Sequence, residues 1–190
     1  MRGWHMAGQQ PERAFGWEDM WVAPQDDPRE AGGPASGERA VLVRYLRDRR
    51  LTLGLKCEGL TPEQLALRSV PPSDMSLLGI VRHLAEVEQY WFRIVMAGER
   101  PERHYRGSAT IAFLDATGDE EHVADAWRRW HGEVEHAERF VDAAPDLGTR
   151  GRGPSQPELR EVLVHLIEEY ARHLGHADLL RERIDGRIGQ

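Results

Sequence analysis

Two ionisable side chains, Glu169 and His173, stand four residues apart in a segment whose other inward positions are apolar. The segment "ELREVLVHLIEEYARHLGHADLLRERIDG" repeats in steps of three and four through Leu159, Val162, Leu166, Glu169, His173, His176 or Ala177, Leu180 and Ile184. On a helix, residues four apart share a face and are separated by about 6 Å along the axis. A carboxylate and an imidazole entering a core are costly unless something pairs with them. A divalent metal satisfies both; the plainer reading is a hydrogen-bonded core pair.

A third polar intruder lies upstream. In "SLLGIVRHLAEVEQYWFRIVMAG" the stripe Ile80, His83, Val87, Tyr90, Ile94 carries His83 on an otherwise apolar face. Three nitrogen and oxygen donors leave a coordination position open, which is the pattern of a catalytic rather than a structural metal site. His176, one turn beyond His173, fits a hydrogen bond behind a ligand, a general base near the open position, or a histidine at the bundle edge. His165, four before Glu169, fits support of the site or packing. Glu86 and Tyr90 flank His83, and contact with a substrate stays open for both. Trp127 and Trp130 read as core or as a pocket wall, and His122, His131 and His136 as solvent-facing. Cys57 reads as a small buried hydrophobe.

Four long amphipathic segments position these groups. The first runs from Glu38 to Cys57, with Val41, Leu42, Tyr45, Leu46, Leu53 and Leu55 as its apolar residues. "GLTPEQL" predicts a short helix capped by Thr61 and Gln64, ended at Pro71 and Pro72. The second long helix spans Ser76 to Gly98, and a loop covers 99–118. Asp119 caps the third, to about residue 143. The last follows "PDLGTRGRGPSQP", with Ser155 and Glu158 expected as its capping box. With no strand alternation, the chain predicts an all-α four-helix bundle over residues 38–190. Residues 1–37 are broken by proline and glycine into an irregular arm. Its Trp4, Trp17 and Trp21 fit either a cap on an apolar seam or a dimer interface.

Composition bounds the rest. At 190 residues with 40% apolar and 30% charged content, the chain is one globular domain, and its net charge of −7 argues against nucleic acid as a partner. No run approaches a membrane span, and a single cysteine fits a cytoplasmic setting.

"SLLGIVRHLAEVEQYWFRIVMAGE" together with "LVHLIEEYARHLGHADLLRERIDG" resembles the DinB/YfiT-like metalloenzyme superfamily over roughly residues 38–188. The resemblance implies an up-down-down-up bundle, often a homodimer, with a metal on His83, Glu169 and His173. Many members have histidine where this chain has Glu169. The glutamate form is similar to the metal-binding domain of mycothiol-dependent maleylpyruvate isomerase, whose second domain has no counterpart here. The carboxylate points to zinc first, with nickel, iron or manganese as alternatives.

The chemistry implied is attack of a low-molecular-weight thiol such as mycothiol on an electrophilic small molecule, a thiol S-transferase-like activity. Two other expectations stand beside it. One is metal-assisted hydrolysis with His176 or a neighbour as base; the other is a non-catalytic metal- or ligand-binding stress protein.

Overall fold

The computed structural model describes residues 21–31, 33–106 and 110–189, so Trp4 and Trp17 lie outside the described residues. Local signals set the helix ends. Helix α1 spans Glu38–Cys57. In α2, Pro62–Ala66, the side chains of Thr61 and Gln64 each accept from the other's backbone N–H. Ser76 Oγ accepts from Gly79 N to start α3, Leu77–Glu88. Asp119 accepts from His122 N to start α5, Glu120–Ala143, and α6 spans Leu159–Asp185 before the left-handed Gly186.

Three expectations need correction. The last helix is capped by Glu158 with Glu161, not by Ser155 with Glu158. The reason is an antiparallel bridge between Arg150 and Glu158, which holds Glu158 extended and delays the helix to Leu159. The second long helix is not α-helical throughout: Gln89–Met96 winds as a π-helix. Its terminal carbonyls on Val95 and Met96 accept from Gly153 N and Arg152 N. That approach needs glycine, because a Cβ at Gly151 would stand 2.6 Å from Val95 O. Finally, the stretch 99–118 contains a helical turn, α4, Ile111–Leu114.

Pairs of contacts give the direction of each helix. Glu38 meets Arg160 at one end of α1 and α6, and Lys56 meets Asp178 at the other, so these two run parallel. Arg82 meets His122, and Arg93 meets Glu133, so α3 with its π continuation runs parallel to α5. His83 lies against His173 while Trp91 lies against His165, so α3 opposes α6. The order is up-down-down-up. Leu53, Leu78, Leu84, Phe92, Leu163 and Leu166 fill the centre, fully buried. Leu46 of α1 joins them, while Val41 and Tyr45 of the same helix stay exposed. No helix among the described residues is long and apolar enough to cross a membrane.

A polar network crosses that core and touches all four long helices. Arg50 of α1 donates from Nε and an NH2 nitrogen to the two carboxylate oxygens of Glu88, each at 2.8 Å. Tyr170 of α6 donates to Glu88 Oε1 at 2.8 Å, and Trp130 of α5 donates its indole N–H to the Tyr170 oxygen at 2.8 Å. Glu88 is 0% exposed. Burial opposes the Arg50 charge, but Glu88 outweighs it and holds the guanidinium above its ordinary range. Burial, and then Glu88, push the Tyr170 phenol well up, so it remains a donor.

The described end of the arm folds back on its own chain. Trp21 is buried under three cations: Lys56 Nζ and the Arg187 guanidinium stand 4.0 Å from its ring centroid, and Arg181 5.2 Å. Arg187 also donates to Trp21 O. This clasp ties residue 21 to the C-terminal ends of α1 and α6.

Replacing Glu88 by glutamine takes the bidentate partner from the buried Arg50 guanidinium and leaves it facing the exposed Glu138 carboxylate at 3.6 Å. Chemical denaturation should show a loss of about 3–5 kcal/mol. A loss under about 1 kcal/mol would mean the network is not a fastening between the helices.

Candidate metal centre

The ligand expectation concerns three side chains on two opposed helices. His83 sits midway along α3, and Glu169 and His173 one turn apart on α6. The structure brings them together. One donor atom from each lies within 4.8 Å of the others. Glu169 Oε2 faces both imidazoles, 3.5 Å from His173 Nε2 and 4.0 Å from His83 Nε2. The imidazole ring centroids are 4.6 Å apart. Donors at about 2.1 Å in a tetrahedron are separated by about 3.4 Å, so a small contraction seats an ion.

Packing and charge suit a cation held by neutral histidines. His173 is buried, and its Nδ1 has no hydrogen-bond partner among the described residues. Burial, then neighbouring His83 and His176, lower the His173 pKa to about 4. Burial also lowers that of His83, with Glu169 and Glu86 pulling the other way. Both imidazoles are therefore neutral at pH 7, with lone pairs available. The donor set of two imidazoles and one carboxylate fits a borderline divalent ion.

One side of the trio is walled and the other is open. Phe113 of α4 stacks over it, 5.3 Å from His83 and 6.4 Å from His173 between ring centroids. Gly79 permits this, since a Cβ there would stand 2.9 Å from Phe113 Cδ1. On the other side His83 and Glu169 line a cleft of about 510 Å³ between the π-helix and α6, with His173 buried behind them. Val87, Tyr90, Trp91 and Ile94 line one side of it, and His165 and Glu169 the other.

The remaining predicted residues fall at different distances from this centre. His165 lines the cleft, its Nε2 3.8 Å from Glu169 Oε1. His176 meets His173 edge-on, 5.4 Å between centroids, but is outside both the trio and the cleft lining. Glu86 and Tyr90 line the cleft; in the apolar row through Tyr90, Ile80 is core while Val87, Tyr90 and Ile94 wall the cleft. Trp130 is core, while Trp127 and Trp130 together wall a separate cavity of about 370 Å³. His131 is exposed as expected. His122 and His136 are not: the first packs on Arg82 and Thr117, and the second is half-buried near Glu99. Burial raises the Cys57 thiol to about 12, which leaves it inert. Trp91, Phe113 and Arg103 were not anticipated. An aromatic pair beside an intruding histidine was the signal for Trp91, and the short α4 offered no periodicity to find Phe113.

A family model described as mycothiol S-transferase matches residues 41–186, from the start of α1 to just beyond α6. This agrees with the DinB-like resemblance. No curated protein and no solved structure matches the chain.

With His173 at about 4 in the folded chain against 6.5 when free, the unfolded chain binds more protons between those values. Stability of the metal-free protein should therefore fall as pH drops from 6.5 to 4. Thermal unfolding after chelation should show this fall, with a shallower one in His173→Gln. Equal slopes in the two proteins would contradict the burial of a neutral His173.

Proposed function

The chain belongs to the mycothiol S-transferase family, and on that footing we propose that it transfers a low-molecular-weight thiol, mycothiol, to an electrophilic small molecule at a divalent metal held by His83, Glu169 and His173. The observation that carries this reading is the convergence of the three donors from α3 and α6, two of which, His83 and Glu169, line a cleft large enough for an organic substrate.

A bound divalent cation supplies the Lewis acidity that keeps a thiol ionised at neutral pH. The protein's own groups do the rest. His83 and His173 offer neutral imidazoles, and Glu169 adds one negative charge through Oε2. His165 lines the cleft with its Nε2 3.8 Å from Glu169 Oε1, which suits it to accept the thiol proton. His176 backs the ring of His173 from the far side, and its role in this reading is to hold that ligand. The thiol sulfur then forms a bond to the electrophilic carbon, and the leaving group departs with its electron pair. Zinc fits the donor set, and nickel, iron and manganese are the alternatives. The family resemblance supports a homodimer as the working unit, to be read from sedimentation of the full chain.

Incubation with a divalent metal, mycothiol and an alkylating electrophile should give metal-dependent turnover. Chelation or His83→Ala should reduce it by roughly a hundredfold or more. Turnover that needs no thiol would favour hydrolysis. Full turnover in a His83→Ala protein that has lost its metal would overturn the proposal.

A further inference from the structure

The cleft beside the trio has an uneven lining. Along the side formed by the end of α3 and the π-helix run Val87, Tyr90, Trp91 and Ile94, all apolar in body and none of them fully buried. Tyr90 is 51% exposed. The Trp91 ring is held before any ligand arrives. It meets Tyr90 edge-on at 5.4 Å and 84°, and His165 at 4.5 Å and 52°. An indole fixed between two rings is a preset wall. Three of the polar groups in the lining already have partners. Gln89 donates to Glu102 O, and Arg103 is paired with Glu86 at 3.2 Å. A flat apolar ligand finds here a wall that shares its lining with Glu169 and His83.

We propose that this side of the cleft is the seat of the electrophile, and that the preferred electrophile is a planar conjugated acceptor, an activated arene, laid along Trp91 and Tyr90 with its reacting carbon toward the trio. The assignment rests on the thiol-transfer reading above. In the reaction the thiol sulfur bonds to the ring carbon that carries the leaving group. For 1-chloro-2,4-dinitrobenzene the C–Cl bond breaks, chloride leaves with the electron pair, and the thiol proton passes to a base. The polar part of the thiol then lies outside the apolar row.

Binding can be tested without turnover. The unreactive 1,3-dinitrobenzene, added to the metal-loaded protein without thiol, should shift the Trp91 indole N–H resonance. Trp91→Leu should weaken its Kd roughly fivefold, and Trp91→Phe, which keeps an aromatic face, by less. With mycothiol present, the ratio of kcat/KM for 1-chloro-2,4-dinitrobenzene over that for iodoacetamide should fall similarly in Trp91→Leu. Equal affinity in the wild type and Trp91→Leu, or an unchanged ratio, would overturn the assignment. Arene binding that depends on Trp91, with no turnover on any thiol, would uphold the cleft assignment and refute thiol transfer. Turnover of iodoacetamide with no arene binding would do the reverse.

Discussion

Glu88 carries a carboxylate at the centre of the bundle with no exposure to solvent, and what surrounds it decides how the four long helices meet. Arg50 grips both its oxygens from α1, Tyr170 donates to it from α6, and Trp130 of α5 completes the chain of hydrogen bonds through the Tyr170 oxygen. A buried ion pair of this kind adds less stability than its Coulomb energy suggests, because both charges leave water. Its force lies in what it forbids. Any rotation or slip of one helix strands a charge or a hydroxyl in the core, so a single register satisfies all four members.

The candidate metal centre inherits that register. Tyr170 is the neighbour of Glu169 on α6, so the hydrogen bond that draws Tyr170 inward turns Glu169 to the flank, where it is half-buried beside His83. His83 lies five residues before Glu88 on α3, a turn and a half closer to Phe113. The π-helix begins directly after Glu88 and carries Trp91 to His165, forming the cleft that His83 and Glu169 line. A π-helical stretch inside a longer helix often marks a functional site. Here it ends against the glycine-bearing connector that satisfies its last carbonyls.

Signals confined to a few residues were readable in the sequence. Caps at Thr61, Ser76 and Asp119 announced three helix starts, and the four-residue step from Glu169 to His173 placed both on one face. What depends on tertiary pairing was not readable. Arg50 and Glu88 look like ordinary solvated charges on long helices, and only their meeting makes them core residues. The row through Val87, Tyr90 and Ile94 had core periodicity, yet it faces a cleft, because periodicity says that a face is apolar and not what covers it. Ser155 gave way to Glu158 as the last cap because a bridge to Arg150 set the backbone there, a pairing that no capping pattern encodes.

The central claim is that the two imidazoles and one carboxylate on α3 and α6 hold an ion. X-ray absorption at the metal edge, on protein loaded with one equivalent of zinc, tests it most directly. The account predicts one tightly bound zinc per chain, with a first shell of nitrogen and oxygen at about 2.0–2.1 Å and the outer scattering of two imidazoles. A parallel His173→Gln sample should lose one of them. Zinc that fails to bind, or whose spectrum is unchanged by loss of His173, would contradict the account.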